Sequence, residues 1–323
     1  MRITLRYNVG KERGTHMGIA VFGAVFVDIK GYPLAQYISN GRNVGNVIQV
    51  HGGVSRNIAE DLGNIQLSPY FVSVVDKSGT GEDIINRLQE HGVDTSYIAR
   101  DADALGTWLA IFDNNGDVVA SISKRPDISG ILQILEEKGD ELISRCDSIA
   151  LEIDIEEPIL DKIFELAEKY DKKVYAAVSN MSIAMERREF LPKLGCLVCN
   201  LQEAGLLFSA ELDRLNQDDL ILTISRMVRQ ARIPKMVVTL GVEGCIYSST
   251  EGSGYYPSYD VEVLDTTGAG DSFFAGVCAG LTYGKSLWEA CEIGTRIASS
   301  VIVTKESTCP VFMPEEFGIS LHE

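Results

Sequence analysis

The sequence predicts an α/β protein with a mostly parallel central sheet and a smaller second sheet. Short apolar runs alternate with longer stretches of helical periodicity through most of the chain, which is typical of βαβ units. Two segments with alternating apolar residues interrupt this pattern and favour hairpins. No linker-like change of composition divides the 323 residues, so we expect one large domain rather than two.

The elements of the central sheet follow from the spacing of the apolar residues. Short apolar runs predict core strands at Ile19–Val27, Tyr70–Val75, Ser148–Leu151, Lys173–Val178, Leu197–Cys199 and Lys235–Leu240. Apolar residues at three- and four-residue spacing predict helices at Gly81–His91, Glu157–Tyr170 and Leu220–Ala231. Because the strands are predicted to be parallel, ligand-binding loops are expected at their carboxyl ends.

The second sheet is predicted from segments 29–50 and 105–124. The run from Asp113 to Asp117 lies between two alternating segments and predicts a hairpin turn. A small sheet inserted into an α/β domain would form a lid that excludes water from a reaction. The alternative is an edge hairpin with only a packing role. With these insertions, residues 18–316 are expected to form a single domain.

Charge and cysteine content limit the partners and the location. The formal net charge of −17 at pH 7 argues against nucleic acid or an anionic membrane surface as a partner. We find no apolar stretch of about 18 residues and no signal-peptide pattern, so no membrane association is expected. The seven cysteines lie mostly in apolar runs, which is typical of reduced core residues in a cytoplasmic protein. Residues 1–17 are left out of the fold prediction, and whether they are native is open.

The strongest functional signal is the run Asp265-Thr-Thr-Gly-Ala-Gly-Asp271. A strand-like segment, Val261–Leu264, precedes it, and an apolar helical pattern follows it. Small residues at a helix start let backbone N–H groups approach an anion, as phosphoryl transfer requires. Asp271 would lie beside this anion site and accept a proton from an attacking hydroxyl. The alternative is an ordinary glycine-rich turn with Asp271 as a helix cap.

A second phosphate-binding pattern carries less weight. The segment Ala279–Ser286 fits the loosest form of a P-loop, but helical periodicity rather than a strand precedes it. We therefore interpret Gly284 as the end of one helix and Ser286 as the cap of the next.

Three further clusters agree with a phosphotransfer site, although each also fits a purely structural role. Thr239 and the nearby Gly241 and Gly244 follow a strand, where backbone amides meet nucleotide phosphates, but such turns are common. Asn200-Leu-Gln-Glu203 would organise Mg²⁺ through water or simply cap a helix. The Gly-Gly pair of segment 52–57 would open a helix against a polar ligand, or would form only a turn.

Together and in this order, these segments resemble the ribokinase-like (PfkB) carbohydrate kinases from Ile19 to the C-terminus. The run ending at Asp271 is specific for that family, and the Gly-Gly-x-x-x-Asn element of residues 52–57 is its second signature. The resemblance implies a three-layer α/β/α sandwich with a small β-sheet lid. It also implies ATP- and Mg²⁺-dependent phosphorylation of a small-molecule sugar or nucleoside. The strands of such a lid either stand free or pair with a second subunit, so a homodimer through the lid stays open.

The resemblance implies a role for each matching position. Asp271 is the expected catalytic base, and the expected anion hole comprises Gly268, Ala269 and Gly270. The expected substrate-binding residues are Asp28, Gly52, Gly53, Asn57, Thr107 and Glu152. The residues implied for ATP are Asn200, Thr239, Gly241, Gly244 and Ser300. Glu203 is implied for Mg²⁺, and Asp265 and Thr267 are implied for a monovalent cation such as K⁺.

Within the family, three segments look closer to pseudouridine kinase than to ribokinase or fructokinase. They are Asp28–Tyr32, His51–Ala59 and Gly244–Ser248. The expected reaction is therefore phosphorylation of pseudouridine to pseudouridine 5′-phosphate. Another kinase of this fold, acting on ribose, adenosine, inosine or fructose, stays open, as does a non-catalytic sugar-binding relative. The joint presence of Asp271, Asn200 and Glu203 argues against the non-catalytic alternative.

Overall fold

The computed structural model describes residues 18–102 and 104–321, so residues 1–17 lie outside the described part. The strands are β1 Ile19–Phe22, β2 Val25–Pro33, β3 Gly45–Gly52, β4 Tyr70–Val75, β5 Ile98–Arg100, β6 Leu105–Phe112, β7 Val118–Lys124, β8 Ser148–Glu152, β9 Val174–Ala177, β10 Cys196–Asn200, β11 Lys235–Thr239, β12 Cys245–Ser249 and β13 Ser253–Tyr256. The α-helices are α1 Val54–Asn64, α2 Gly79–Glu90, α3 Gly130–Arg145, α4 Glu157–Lys169, α5 Met181–Ala184, α6 Leu201–Phe208, α7 Gln217–Gln230, α8 Ala269–Thr282 and α9 Leu287–Ile302. Short 3₁₀ helices span Met185–Lys193, Gly241–Glu243 and Pro314–Phe317.

The large sheet has nine strands in the order β13-β12-β11-β10-β9-β8-β1-β4-β5. Every neighbouring pair from β5 to β11 is parallel, and β12 and β13 are added antiparallel at one edge. All residues of β1, β4, β8 and β9 are buried. Continuous apolar runs therefore mark these strands, because helices cover both faces of a parallel sheet.

Two hydrophobic cores lie on opposite faces of this sheet. One contains buried residues of α3, α4 and α7, including Leu135, Ile163 and Ile224. The other contains buried residues of α1, α2, α8 and α9, such as Leu62 and Phe274. The arrangement confirms the predicted three-layer α/β/α class. Among the described residues, no helix is long and apolar enough to cross a membrane.

The small sheet has four strands in the order β3-β2-β6-β7. The central pair β2 and β6 is parallel, and the two outer pairs are antiparallel. The turn between β6 and β7 is held by Asp113, whose Oδ1 accepts hydrogen bonds from the N–H groups of Asn115 at 2.8 Å and Asp117 at 3.0 Å. Segments 29–50 and 105–124 thus supply most of this sheet, and its action as a lid stays a prediction.

Two predicted strands were wrong in detail. The run Ile19–Val27 is divided between the two sheets, because the chain leaves β1 at Gly23 and enters the small sheet at Val25. A Cβ atom at Gly23 would lie 2.1 Å from Ser55 Oγ, so the crossing point is tightly packed. Val261–Leu264 is not a strand. The N–H of Leu264 instead donates to the carbonyl of Ile302 at 2.7 Å, at the end of α9.

Candidate active site

A cleft of about 1020 Å³ lies where the small sheet meets the carboxyl ends of the large sheet. Its walls include the starts of α1 and α8. Nine of the expected site residues line it, namely Asp28, Gly52, Gly53, Asn57, Glu152, Asp265, Thr267, Gly268 and Asp271. The volume is at the upper end of the range for small-molecule sites. The structure thus gathers the expected base, the residues expected for the monovalent cation and all the residues expected for the acceptor except Thr107 in one space.

The glycine-rich turn begins α8 as expected. Gly268 is the N-cap with φ of 81°, in the left-handed region that favours glycine. A Cβ atom there would lie 2.0 Å from the carbonyl oxygen of Ser307, so two constraints require glycine. Ala269 donates its N–H to Thr266 at 3.2 Å, and α8 leaves the next N–H groups directed outward from its first turn. The N-terminus of α8 therefore offers an anion site beside Asp271.

Asp271 lies in the first turn of α8, half-buried in the cleft wall. Its Oδ2 accepts a hydrogen bond of 2.6 Å from Asn57 Nδ2 in α1. Burial raises the pKa of Asp271 to about 6, opposed by the Asn57 hydrogen bond and the charge of Arg56. A carboxylate with this pKa is mostly ionised at neutral pH and is better matched to proton abstraction than an ordinary aspartate.

Asp28 faces the cleft from β2, opposite the end of β3. A Cβ atom at Gly52 would lie 2.6 Å from Asp28 Oδ1, so this glycine leaves room for the carboxylate. Gly53 is the N-cap of α1 with φ of 102°, which again favours glycine. Burial raises the pKa of Asp28. A carboxylate in this position can accept hydrogen bonds from vicinal hydroxyls of a substrate.

Glu152 ends β8 and is buried at the base of the cleft. Its Oε1 accepts hydrogen bonds from the N–H of Ser55 at 3.2 Å and from Ser55 Oγ at 2.6 Å. Burial raises the pKa of Glu152 to about 7, and the negative charge of Asp154 adds to the rise. Glu152 can therefore exchange a proton near neutral pH, so it can both donate to and accept from a bound polar group.

A buried ion-pair network supports α1 behind the cleft. Glu60 is fully buried and contacts Arg56 Nη1 at 2.8 Å and Arg87 Nη2 at 2.7 Å. Burial opposes ionisation of Glu60, but the hydrogen bonds from Arg87 and the charge of Arg56 outweigh it and lower its pKa to about 2. Arg56 also donates to the carbonyl of His51 and to Ser307 Oγ. The network thus joins the end of β3, α1 and the segment that packs on Gly268.

The residues expected for ATP and Mg²⁺ do not line this cleft. Asn200 and Thr239 are register partners at the carboxyl ends of the parallel strands β10 and β11. Asn200 and Glu203 form a capping box at the start of α6, with hydrogen bonds of 2.8 Å in both directions. The remaining members of this group are Gly241 and Gly244 in the β11–β12 turn, and Ser300 in α9, which donates to Ile297 O at 2.6 Å.

Thr107 does not line the cleft. Trp108, its neighbour in β6, does so and is the register partner of Asp28. Because side chains alternate along a strand, Thr107 lies on the opposite face of the small sheet, beside Val27. The structure therefore places Thr107 away from the cleft in which the expected contact with a substrate would occur.

Sequence reasoning also missed several residues of the cleft. They include Lys30, on the same face of β2 as Asp28, and Asp154, which follows β8. Arg125, which the sequence offers either for steering the triphosphate or as a solvated charge, also lines the cleft. The two-residue spacing from Asp28 was a signal that could have identified Lys30. The contact between Arg125 and Asp154, 3.9 Å between Nη2 and Oδ2, joins positions 29 residues apart and has no local signature.

A half-buried carboxylate at a glycine-rich helix start, in a cleft between an α/β sandwich and a small sheet, is the arrangement expected of a kinase of small molecules. The match to known proteins then gives the family. A model of the pfkB family carbohydrate kinases matches residues 17–315, so the chain belongs to that family. It is a phosphotransferase that acts on an alcohol group of a sugar or nucleoside, as kinases of this family do.

Named relatives span several acceptors. The chain is 31% identical over 292 residues to guanosine-inosine kinase of Exiguobacterium acetylicum, covering 90% of this chain and 95% of the relative. It is 24% identical over 264 residues to pseudouridine kinase of Escherichia coli, covering 81% and 82%. The structure of Arabidopsis thaliana ribokinase with ribose and ATP superposes with a TM-score of 0.77 at 18% identity, covering 93% and 98%. These matches confirm the ribokinase-like fold.

Proposed function

We propose that this kinase transfers the γ-phosphate of ATP to the primary hydroxyl of a nucleoside. The observation that carries the proposal is Asp271, which is hydrogen-bonded to Asn57 and has a pKa near 6. Asp271 lies in the first turn of α8, where backbone N–H groups can bind an anion. It lines the same cleft as Asp28 and Trp108. Asp28 offers acceptors for ribose hydroxyls, and Trp108 offers an aromatic surface for a base.

In the proposed reaction, the carboxylate of Asp271 takes the proton of the acceptor hydroxyl. The hydroxyl oxygen attacks the γ-phosphorus in line, and the bond to the β–γ bridging oxygen breaks as ADP leaves. N–H groups at the start of α8 stabilise the charge on the transferring group. Closure of the small sheet over the cleft would exclude water, so that transfer to the acceptor competes well with hydrolysis.

Kinases of the ribokinase-like fold use ATP and Mg²⁺, and the donors of this chain fit a hydrated Mg²⁺. Burial raises the pKa of Glu203, and the negative charge of Asp154 adds to it. A divalent cation near Glu203 would favour its ionised form. Asn200 and Glu203 would hold the ion through water, since Mg²⁺ prefers oxygen ligands and keeps several waters. The bound ion would neutralise charge on the nucleotide phosphates.

The monovalent cation and the dimer stay predictions. Asp265 Oδ1 accepts a hydrogen bond of 2.8 Å from the N–H of Thr267, and we expect this loop to respond to K⁺. Turnover in KCl and NaCl of equal ionic strength would test it. Val47 and Ile122 of the small sheet are 74% and 71% exposed, which supports a homodimer through this sheet. Light scattering of the purified protein would give its mass. A cytoplasmic location agrees with the use of ATP and with seven free thiols.

Two nucleoside classes are candidates for the acceptor. Pseudouridine is supported by the three sequence segments and by the 24% identical relative. Guanosine and inosine are supported by the 31% identical relative, which covers more of this chain. We place guanosine and inosine first and keep pseudouridine as the second candidate.

A coupled assay of ADP release tests the proposal directly. The acceptors are guanosine, inosine, pseudouridine, uridine, adenosine, ribose and fructose at equal concentrations. We expect acceptor-dependent turnover with at least one nucleoside and only weak turnover with ribose. Turnover that is fastest with a free sugar would refute the nucleoside assignment. Absence of turnover with every acceptor would favour a non-catalytic relative.

A further inference from the structure

Lys30 is a buried cation in the wall of the cleft formed by the small sheet. It lies in β2, two residues beyond Asp28 and on the same face, and it lines the cleft. Only 9% of its surface is exposed. Within residues 18–102 and 104–321, the Lys30 ammonium makes no hydrogen bond and no ion pair within 4.0 Å. At longer range its charge opposes the rise that burial causes in the pKa of Asp28. A buried charge is costly unless it is paired, so a bound ligand is the natural source of its partner.

The surroundings of Lys30 indicate the shape of that ligand. Its register partners are Ile48 in β3 and Ala110 in β6. Two residues before Lys30 and on the same face, Asp28 is the register partner of Trp108. Two residues after Lys30, Tyr32 stacks on Phe112 with ring centroids 4.7 Å apart. Lys30 therefore projects from a wall of aliphatic and aromatic side chains, which suits a flat, partly apolar group.

The distance from Asp28 suggests which part of a nucleoside reaches Lys30. Two residues of a strand span about 7 Å. If Asp28 holds the ribose hydroxyls, the base extends from the sugar along this wall, towards Lys30. A free pentose held by Asp28 would leave the Lys30 ammonium without a hydrogen-bond acceptor from the ligand. The burial of Lys30 thus favours an acceptor larger than a simple sugar.

The chemistry of an ammonium group limits which bases it accepts. Lysine offers three donors and no acceptor. It can donate to an exocyclic oxo group, which hypoxanthine, guanine and uracil all carry. It cannot accept from the 6-amino group of adenine, and two donors facing each other repel. Hydrogen bonds to a charged group are also stronger than neutral ones.

We infer that Lys30 is a specificity-determining residue that binds the exocyclic oxo group of a nucleobase and so selects oxopurine or oxopyrimidine nucleosides over adenosine. This inference rests on the proposed nucleoside kinase function and narrows its substrate class. An acidic sugar or a sugar phosphate would also supply an acceptor for the ammonium. The aromatic wall and the adjacent Asp28 carboxylate favour a neutral, flat group over a second anion.

The test compares substrates that differ at the oxo group. Inosine and purine riboside share the ribose and the ring system, and purine riboside lacks the 6-oxo group. For the wild type, we expect kcat/KM for inosine to exceed that for purine riboside by about tenfold to a hundredfold, the value of one charged hydrogen bond. In Lys30→Met, this ratio should fall to within about threefold of one, mainly through the KM of inosine. Calorimetric titration of inosine without ATP should show the same loss of affinity.

Two controls separate this role from a structural one. Lys124→Met removes a lysine from the same sheet, but Lys124 is the register partner of Thr107 and does not line the cleft. It should leave the substrate ratio unchanged. Lys30→Met removes a buried ammonium that makes no hydrogen bond or close ion pair within the described residues, so its thermal midpoint should equal or exceed that of the wild type. Pseudouridine is assayed in parallel, and its kcat/KM should fall in Lys30→Met by about tenfold or more.

The outcomes distinguish this inference from the proposed function. If the wild type phosphorylates nucleosides but Lys30→Met keeps its preference and its kcat/KM for every oxo nucleoside, only the role of Lys30 is wrong. Equal kcat/KM values of the wild type for adenosine and inosine would also overturn the role of Lys30. If the wild type phosphorylates an acidic sugar or sugar phosphate and no nucleoside, both the proposed function and the role of Lys30 fail.

Discussion

The residues proposed to bind the acceptor and those proposed to bind the nucleotide differ in burial. On the acceptor side, the cleft that contains Asp28 and Asp271, buried charged side chains support the cleft wall. Arg56 is 1% exposed and Glu60 is fully buried, and together they fix the start of α1. On the side proposed for the nucleotide, Asn200 and Gly241 are exposed at strand ends, and the residues proposed to bind ATP lie mainly in backbone turns and helix caps. Acceptor recognition should therefore be sensitive to single side chains, whereas nucleotide binding should tolerate most substitutions that keep the backbone.

The first prediction tests the most sensitive point of the acceptor side. Asp271→Asn removes the base and keeps the shape, so kcat should fall by at least ~10²-fold while the fold is retained. Steady-state kinetics and a circular dichroism spectrum would check both parts. Asp260→Asn, at an exposed position, is the control and should keep wild-type turnover. A near-normal kcat in Asp271→Asn with intact ATP binding would show that the base lies elsewhere.

The second prediction concerns the network behind the acceptor side. Glu60→Gln leaves Arg56 and Arg87 without their shared carboxylate, which should lower the free energy of unfolding by about 3–5 kcal/mol. The folded pKa of Glu60, about 2, is below the value of ~4.3 in unfolded chains. Its ionisation thus stabilises the fold above about pH 4.3, and this contribution is lost as the pH falls towards 2.

Urea denaturation at pH 7 would measure this change in stability. Glu82→Gln is the matched control, because Glu82 pairs with Arg100 at the surface and is 60% exposed. Its loss should lower the free energy of unfolding by less than about 1 kcal/mol. Equal losses in the free energy of unfolding for the two substitutions would show that the buried ion pair of Glu60 stabilises the fold no more than the exposed pair of Glu82.

The third prediction tests whether Asn57 lowers the pKa of Asp271, the proposed base. The hydrogen bond from Asn57 lowers the pKa of Asp271, against the rise that burial causes. Since the base must be ionised, kcat should rise with pH through about 6 in the wild type. Asn57→Leu removes the hydrogen bond, so this rise should move to higher pH. A pH–rate profile of kcat measures it, and an unchanged profile with a raised KM alone would mean that Asn57 only binds substrate.

The smallest effect is expected on the nucleotide side. Asn200→Ala removes the side-chain cap of α6, which should lower the free energy of unfolding by about 1 kcal/mol. It should also raise the KM for ATP·Mg²⁺ without changing the KM of the acceptor. Chemical denaturation and kinetics with each substrate varied in turn would check this. A raised KM for the acceptor would contradict the separation of the two sides.

The parts of the site that sequence could predict are those fixed by local chemistry. The turn at Gly268 and the start of α1 at Gly53 each need glycine for a backbone reason, so the residue type itself carries the signal. The buried strands were also found, because a short, continuous apolar run is typical of a strand that is covered on both faces. The division of β1 from β2 was not found, because both strands are apolar and only the packing around Gly23 separates them.

The parts that sequence could not predict depend on contacts between distant residues. Whether Thr107 or Trp108 faces the cleft depends on the register between β2 and β6, and a shift of one residue reverses the face. The pairing of Glu60 with Arg87 joins two helices 27 residues apart in the chain. The hydrogen bond that Ser55 donates to Glu152 joins positions 97 residues apart and has no local sequence pattern.

All seven cysteines are buried and free, and burial raises the pKa of both Cys146 and Cys196 to about 12. Buried thiols with almost no thiolate at neutral pH react slowly with maleimides. One cysteine introduced on the exposed face of the small sheet would thus be labelled selectively in the otherwise native chain. A fluorophore at that position could report, in real time and with little background, whether the small sheet moves when ATP and an acceptor are added.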